Sequence, residues 1–350
     1  MEPAGTEVRA GDRRPVALLG RLTQHAAAWA RALGLRADVG VTRWHVDRLT
    51  HFGDLGLVRG WAFSTGSPVA VVRVVVDGVE VAAVPASLPS PDVQAVHGDL
   101  AARARFAAEF HTPDAFAVSR AVIRIELRDG TVSEAGDIST RYMFDVDPYH
   151  RLQARFFASL AELGDDGAVL EIGSRSRSGN TRRDLVRRGV AYTGVDILDG
   201  DNVDVVGDAH RLSELVERDR FDAVFCVSTF EHLAMPWKVA LEMGAVLKVG
   251  GTAMIATHQT FPVHDAPWDF WRFSDSAWHA LFNAATGFEV LETALGERAS
   301  VVADFCHGPV AGLPLEPAYL GSAALVRKVG ASDLRWDVDM ADITSSVYPQ

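Results

Sequence analysis

The most restrictive feature of this sequence is a strand, loop, helix and strand segment between residues 168 and 196. It begins with the apolar run AVLEI, turns through the loop GSRSRSG into a stretch predicted to be helical, and ends with the strand AYTGVD. Asp196 follows Gly173 by twenty-three residues, a position from which a carboxylate can accept hydrogen bonds from both hydroxyls of a ribose. This order predicts the nucleoside-binding half of an α/β fold.

The chain around this segment continues the alternation of apolar strands and helices. We predict a doubly wound, Rossmann-like, mostly parallel seven-stranded sheet, because near-continuous apolar strands between helices are typical of a sheet covered on both faces. The predicted strands that can be assigned are residues 168–172, 191–196, 221–228, 251–257, 288–294 and 323–328. The predicted helices are residues 149–163, 180–188, 209–218, 236–246 and 274–286.

The first part of the chain has a different pattern, and the 350 residues are enough for two cores. Residues 1–40 are predicted to be a tail followed by one amphipathic helix over 15–35. Residues 41–140 contain short β-branched runs and the turns Asp77-Gly78 and Asp129-Gly130, which predict a smaller all-β, sandwich-like domain. Residues 141–330 form the predicted α/β domain, and the acidic residues 331–350 are predicted to be a tail.

The loop after Gly173 narrows the class of cofactor. A dinucleotide needs G-x-G-x-x-G to place its pyrophosphate on a helix N-terminus, but SRSRS separates Gly173 from Gly179 here. No G-K-[ST] follows, which excludes a P-loop. Glu171 precedes the loop, and its carboxylate would repel a pyrophosphate but suit an ammonium or sulfonium group.

These motifs resemble the class I methyltransferases that use S-adenosyl-L-methionine, in particular the type 11-like branch. The run VLEIG, the acid that ends the second strand, and the segments GDAHRL, FDAVFCVSTFEHLAMP and ALEMGAVLKVGGTAMIAT follow one another in the family's order over about residues 150–295. The resemblance implies S-adenosyl-L-methionine as the cofactor. It implies these cofactor-binding residues: Glu171, Gly173, Ser174, Arg175, Asp196, Ile197, Asp208, Ala209, Ser228, Thr229 and Glu231.

Arg175 departs from the family's pattern, which has a second glycine at this place in the loop. The arginine could reach the methionine carboxylate of the cofactor, or it could block the pocket. Glu231 and His232 are also open to a second interpretation, in which they cap the following helix without contacting a ligand.

The loop THQTFPVHDAPWDFWRFSDSAW follows the fifth strand and is dense in His, Asp and aromatic residues. Loops at this edge carry acceptor sites in such folds, so we predict His258, Trp268, Asp269, Trp271 and Arg272 as substrate-binding residues. The predicted catalytic residues are His264, His232 and Asp265, since an imidazole suits general-base work near neutral pH. A self-packed loop is the alternative. No metal site is predicted, although Asp265, Asp269 and a histidine could hold a divalent ion.

The expected acceptor is a hydroxyl on a sugar or a cell-surface polysaccharide precursor. The β domain is similar to accessory modules of bacterial polysaccharide enzymes, and H-D-x-P-x-D-F-W-R-F-S resembles methyltransferases of polysaccharide biosynthesis. A non-catalytic carbohydrate-binding or scaffolding protein with a degenerate methyltransferase domain is the alternative. An NAD-dependent sugar oxidoreductase is disfavoured, because the loop glycines and a Tyr-x-x-x-Lys pair are missing.

Charge and cysteine content restrict the partners and the compartment. The formal net charge of −12 argues against a nucleic-acid partner. Cys226 and Cys306 are the only cysteines and do not have zinc-ligand spacing, which favours a reducing compartment. No apolar stretch is long enough for a membrane span, so we expect a cytoplasmic bacterial protein with a small-molecule or glycan acceptor. A homo-oligomer is compatible with these observations.

Overall fold

The computed structural model of the protein describes residues 6–9, 40–112, 114–136, 138–177, 179, 181–305 and 307–343. The chain divides into two compact units, Met1–Tyr142 and Met143–Gln350. The helix predicted over residues 15–35 lies outside the described residues. None of the helices in the described part of the chain combines the length and apolarity that a bilayer crossing needs.

The first unit contains two four-stranded antiparallel sheets. The first sheet has the order β1-β2-β3-β6, from the strands Thr6–Arg9, Val41–Phe52, Leu55–Ser64 and Arg105–His111. The second has the order β5-β4-β7-β8, from Val79–Val84, Val69–Val76, Val122–Leu127 and Val132–Ala135. The helices in the described part of this unit are α1, Pro91–His97, α2, Ala115–Val118, α3, Ile138–Arg141, and the 3₁₀ turn Asp99–Ala101.

The strands of the first unit bury alternate residues in one shared core. Val58 and Phe106 of one sheet belong to the same hydrophobic cluster as Val74 and Ile125 of the other. Asp77 and Gly78 both take positive φ between β4 and β5, as a two-residue hairpin turn of this twist requires. The prediction of a mostly antiparallel β domain is confirmed.

The second unit is built on one seven-stranded sheet with the order β11-β10-β9-β12-β13-β15-β14. Its strands in chain order, β9 to β15, are Ala168–Ile172, Ala191–Asp196, Val205–Val206, Phe221–Val227, Leu247–His258, Phe288–Ala299 and Ala318–Lys328. The first five run parallel, and β15 is antiparallel to both β13 and β14. The predicted mostly parallel, seven-stranded sheet is confirmed.

Both faces of this sheet are covered. The helices of the unit are α4, Pro148–Ser159, α5, Leu212–Leu215, α6, Pro236–Val246, α7, Asp275–Leu281, and α8, Met340–Ile343. Single turns of 3₁₀ helix lie at Leu160–Glu162, Arg182–Leu185, Ala209–Arg211, Phe230–His232, Ala284–Thr286 and Leu313–Leu315, and a π-helical turn spans Tyr142–Val146. Leu152 of α4 belongs to the cluster on one face, and Met243 of α6 belongs to the cluster on the other. Because both faces are apolar, β9 is buried along its whole length.

Three helices are shorter than predicted. The helix predicted over 180–188 is wrong, since the described part of this segment has only the 3₁₀ turn Arg182–Leu185. Its sequence has no apolar stripe to bury, and its arginines pair with Asp204 and Asp165 instead. The helix predicted over 274–286 ends at Leu281, because Asn283 is extended and caps a separate turn. The helix predicted over 209–218 ends at Leu215.

Residues 331–343, the described part of the predicted tail, pack against other residues of the second unit. Lys238 Nζ donates a hydrogen bond to the Val338 carbonyl oxygen at 2.7 Å and lies 3.6 Å from the Asp339 carboxylate. The Trp336 indole packs edge-on against Trp237. These contacts place the short helix Met340–Ile343 at the carboxyl edge of the sheet, where it lines the cavity described below.

Asp147 links the start of α4 to strand β14 through hydrogen bonds. The carboxylate accepts hydrogen bonds from His150 N at 3.2 Å and from Glu297 N at 2.5 Å, and the side chain is buried. We expect Asp147→Ala to lower the free energy of unfolding by about 1 kcal/mol, through the lost N-cap and the unpaired Glu297 amide. Urea denaturation measures this change. Asp145→Ala removes an exposed carboxylate nearby and should leave stability unchanged; an equal loss in both variants would contradict the assignment.

Candidate functional site

The carboxyl ends of the parallel strands surround one cavity of about 660 Å³. In doubly wound sheets this edge binds ligands where the strand order reverses, which here is between β9 and β12. The cavity is lined at one end by residues that follow β9, β10 and β11, and at the other by residues from the loops after β12 and β13. Its polar and charged lining residues are Arg175, Arg177, Arg182, Asp196, Asp208, His210, Ser228, Thr229, Glu231, His232, His264 and Asp265.

Gly173 sits at the turn out of β9, where the backbone approaches the loop after β12. Its φ is +75°, and a Cβ built on it would lie 2.0 Å from Thr229 Oγ1. Gly173 N and Ser174 N both donate to the Val195 carbonyl, at 2.9 and 3.1 Å, which fixes the turn against β10. Ser228 also has a positive φ of 52°, a conformation that a non-glycine residue rarely takes. The two strand ends therefore meet in a close, strained arrangement at the cavity wall.

Asp196 ends β10 and lines the cavity. Its Oδ2 accepts from Arg175 N at 3.1 Å, and its Oδ1 accepts from Leu198 N at 3.0 Å. The Arg175 side chain lies beside this carboxylate, with Nε 3.8 Å from Oδ1. Arg175 thus contributes to the end of the cavity where Asp196 and the exposed Ile197 lie, and its aliphatic part packs on Gly200.

Asp208 caps the 3₁₀ turn after β11. Its Oδ1 accepts from His210 N at 2.9 Å and lies 2.6 Å from His210 Nδ1. Because Met235 N donates to His210 Nε2 at 3.2 Å, the ring proton is on Nδ1 and is donated to Asp208. Burial alone would raise the pKa of Asp208, but the hydrogen bonds from His210 hold this pKa below its ordinary value. Asp208 is therefore a fixed anion beside Ala209 in the cavity wall.

Glu171 lies behind the main cavity. It lines a smaller adjoining cavity with Ser174 and Asn202, and its carboxylate is 1% exposed. The Tyr192 hydroxyl and Asn202 Nδ2 donate to its Oε2, while Arg182 Nη1 lies 3.5 Å from its Oε1. Burial raises the pKa of this carboxyl. Arg182 lines both cavities and was not singled out from the sequence, although the arginine-rich run after Gly173 was the available signal.

The far end of the cavity brings together Glu231, which was predicted to bind the cofactor, and His232, His264 and Asp265, which were predicted to be catalytic. His232 Nε2 lies 3.8 Å from Glu231 Oε1, and His264 Nε2 lies 4.0 Å from the same oxygen. Asp265 Oδ2 accepts from Arg177 Nη1 at 2.7 Å, which lowers the pKa of Asp265. Asp265 is therefore anionic and paired with Arg177.

The predicted substrate residues divide into two sets. Trp268 lines the cavity wall with little exposed surface, and His258 Nε2 lies 3.3 Å from Glu231 Oε1. Asp269 and Arg272 form a partly buried bidentate pair, with distances of 2.6 and 2.7 Å, that lowers the pKa of Asp269. Trp271 donates its indole N–H to the Leu233 carbonyl at 2.8 Å. Asp269, Arg272 and Trp271 hold the loop in shape and do not line the cavity.

The cavity has the features that S-adenosyl-L-methionine requires. The glycine cradle at Gly173 lies between the strand ends, and the carboxylates of Asp196 and Asp208 line the same wall. Neither pyrophosphate glycines nor a P-loop lysine occurs in the loop after β9. The end of the site that would hold the methionine part of the cofactor offers fewer free groups. The Glu171 carboxylate there is already paired with Tyr192, Asn202 and Arg182.

Part of the chain is similar to known proteins. Residues 143–293 match a family model described as "Methyltransferase domain". An S-adenosylmethionine-dependent methyltransferase from Archaeoglobus fulgidus is 14% identical, with 54% of this chain and 98% of that chain covered and a TM-score of 0.37. The YcgJ protein from Bacillus subtilis is 17% identical, with 53% and 100% covered and a TM-score of 0.36. No curated protein matches the sequence.

The family match falls within the second unit and includes the glycine turn, the acid after β10 and the acceptor end of the cavity. The resemblance found in the sequence is therefore supported over residues 143–293, which match the model of a methyltransferase domain. S-adenosyl-L-methionine is the cofactor expected of this segment.

Proposed function

We propose that this protein transfers the methyl group of S-adenosyl-L-methionine to an acceptor hydroxyl on a sugar or on a precursor of a cell-surface polysaccharide. The observation that carries the proposal is that one cavity joins two ends of different chemistry. Asp196 and Asp208 lie at the end suited to a nucleoside, and imidazoles lie at the other. Such a cavity can hold a donor and an acceptor at the same time.

In methyl transfer the enzyme must position the acceptor more than it must stabilise an added charge. When bound, S-adenosyl-L-methionine supplies an electrophilic methyl group on a sulfonium sulfur. The protein's task is to align the acceptor in line with that bond and to exclude water. Trp268 and Leu233 provide apolar wall near the imidazoles, and Met340 and Ala341 cover the cavity from the C-terminal segment. These residues restrict both the pose of the acceptor and the access of solvent.

A hydroxyl acceptor must lose its proton as its oxygen takes the methyl group. His264 is partly exposed, with 29% of its side-chain surface accessible, and lines the cavity. Its Nδ1 lies 3.2 Å from the Pro262 carbonyl oxygen, so Nδ1 carries the proton and Nε2 offers a lone pair. We therefore propose that His264 assists removal of the acceptor proton.

Two features favour a sugar over an apolar acceptor. Phe261 is 39% exposed and stacks on His258 at 4.1 Å between ring centroids, which leaves an aromatic face beside the acceptor end. Asp265 and Arg177 offer an acceptor and a donor at the cavity wall. Aromatic faces with flanking hydrogen-bonding groups are suited to the apolar faces and hydroxyls of a pyranose ring.

We expect His264→Ala to lower turnover by about 10²- to 10⁴-fold, the usual range for loss of an acid-base group, and to change the Kd for S-adenosyl-L-methionine little. Steady-state kinetics and calorimetry measure the two quantities separately. His279→Ala, which removes an exposed histidine on α7, is the matched control. A wild-type rate in His264→Ala would remove this residue from the reaction.

The acceptor is tested by incubating the full chain with methyl-labelled S-adenosyl-L-methionine and a panel of nucleotide sugars, glycan fragments, small amines and thiols. We expect label in a sugar product whose mass rises by one methylene. Label transferred only to an amine or a thiol would contradict the acceptor proposal and leave methyl transfer intact. Cofactor binding without transfer to any class would favour a non-catalytic, glycan-binding role.

A further inference from the structure

Three imidazoles surround one buried carboxylate oxygen at the acceptor end of the cavity. The Nε2 atoms of His258, His232 and His264 lie 3.3, 3.8 and 4.0 Å from Glu231 Oε1. His232 and His264 pack edge to face, with ring centroids 4.9 Å apart. The ligand-type atoms of Glu231, His232 and His264 all lie within 4.8 Å of one another.

The Glu231 carboxylate is held in a way that leaves one oxygen without a partner. The Thr257 hydroxyl donates to Oε2, while Oε1 is buried and accepts no hydrogen bond of normal geometry from any residue that the structure describes. The side chain has no exposed surface. A buried anionic oxygen without a partner is costly, so a cation beside it would be strongly stabilised.

The histidine tautomers direct lone pairs toward the same point. His232 Nδ1 donates to the Trp268 carbonyl oxygen at 2.5 Å. His264 Nδ1 lies 3.2 Å from the Pro262 carbonyl oxygen and 3.3 Å from Asp269 Oδ2. In both rings the proton is therefore on Nδ1, and Nε2 faces Glu231 as an acceptor. A carbonyl or carboxylate behind Nδ1 is the usual support of a metal-bound histidine.

We propose that Glu231 Oε1, His232 Nε2 and His264 Nε2 bind one divalent first-row transition-metal ion of the zinc type. Bonds of about 2.0 to 2.1 Å in tetrahedral geometry place ligand atoms about 3.4 Å apart, close to the distances of these nitrogens from Oε1. Two imidazoles and one carboxylate suit Zn²⁺ or Fe²⁺ better than Mg²⁺ or Ca²⁺, which prefer oxygen ligands. All three ligands line the cavity, which leaves the remaining position open to it.

This set differs from the one considered from the sequence, which used Asp265 and Asp269. Arg177 neutralises Asp265, and Arg272 engages both oxygens of Asp269. Neither carboxylate is free to approach an ion without breaking its pair. Asp269 instead supports His264 from behind, through its contact with Nδ1 and a 2.9 Å hydrogen bond from His264 N.

The chemical consequence rests on the proposed methyl transfer. An acceptor hydroxyl in the open position would have its pKa lowered by the ion, as bound water has in zinc enzymes. The hydroxyl proton leaves to solvent, the O–CH₃ bond forms as the S–CH₃ bond breaks, and the electron pair of that bond stays on sulfur. His264 would then assist removal of the acceptor proton as a ligand of this ion.

The test is zinc binding by the full chain, independent of any activity. The protein is dialysed against a chelator, and Zn²⁺ is titrated by calorimetry, with the bound metal counted by atomic emission. We expect one equivalent. Removing a direct ligand should reduce zinc affinity more than removing a supporting contact does. His264→Gln and His232→Ala should therefore each weaken zinc binding by about 100-fold or more. His279→Ala should bind as the wild type does.

Circular dichroism and thermal melts verify that each variant is folded, and His264→Gln is the more informative because its side chain is partly exposed. Absence of a zinc equivalent in the wild type, or wild-type zinc affinity in folded His264→Gln, would overturn the metal site. Calorimetry with S-adenosyl-L-methionine on the metal-free protein keeps the two proposals apart. Cofactor binding without zinc binding refutes the metal site alone, and zinc binding without cofactor binding refutes methyl transfer alone.

Discussion

Gly173→Ala is expected to lower the free energy of unfolding of the second unit by about 2 to 5 kcal/mol and to abolish measurable cofactor binding. Two costs add at this position. An alanine would be held at a φ of +75°, which costs about 1 to 2 kcal/mol. Its Cβ would lie 2.0 Å from Thr229 Oγ1, and an overlap of this size in packed surroundings costs about 1 to 3 kcal/mol more.

The chain provides a matched control for this substitution. Gly179 lies in the same loop with a φ of +77°, but a Cβ added there meets nothing within 4 Å. Gly179→Ala should therefore show the conformational cost without the steric one. Urea denaturation and calorimetry with S-adenosyl-L-methionine measure the two effects. If both variants lost stability and affinity equally, the close approach of Gly173 to Thr229 would have no role in the site.

Asp196→Ala is expected to weaken the binding of S-adenosyl-L-methionine by about 1 to 3 kcal/mol, or roughly 5- to 150-fold in Kd. The carboxylate ends β10 at the cavity wall, where it can accept hydrogen bonds from ribose hydroxyls. The substitution also removes the acceptor for Arg175 N and the charge beside the Arg175 side chain. The measured loss therefore includes some rearrangement of Arg175.

Asp199→Ala separates a local contact from a general change in charge. Asp199 is exposed, three residues from Asp196, and is not among the residues that line the cavity. The Asp199→Ala variant should bind the cofactor with wild-type affinity. The affinities of the wild type and the two variants for S-adenosyl-L-homocysteine should follow the same order as their affinities for S-adenosyl-L-methionine. Unchanged affinity in Asp196→Ala would mean that the ribose is bound elsewhere.

The parallel sheet could be predicted from the sequence because its strands are apolar throughout and lie between helical segments. Gly173 and Asp196 could be placed at its carboxyl edge for the same reason, since the chain order fixes where each strand ends. The helix predicted after Gly179 does not form. Arginines dominate that segment, and their pairing with Asp204 and Asp165 could not be inferred from local sequence.

The acceptor end could be predicted only in part. The density of His and Asp in the loop after β13 was the basis for predicting His264 and Asp265 as catalytic residues, and both line the cavity. Asp269 and Arg272 do not line the cavity, and the bidentate pair between them agrees with the alternative of a self-packed loop. The convergence of three imidazoles on Glu231 Oε1 depends on two separate loops, which no local pattern brings together. Residues 340–341 were predicted to be part of a tail, yet they line the cavity.

The central claim is that the second unit binds S-adenosyl-L-methionine in the cavity at the carboxyl edge of its sheet. Calorimetric titration of the full chain with S-adenosyl-L-methionine tests this claim most directly. We predict a single site with a micromolar Kd, equivalent to about −8 kcal/mol, that Asp196→Ala weakens and Asp199→Ala does not. No heat of binding at millimolar cofactor, in protein shown to be folded, would contradict the claim.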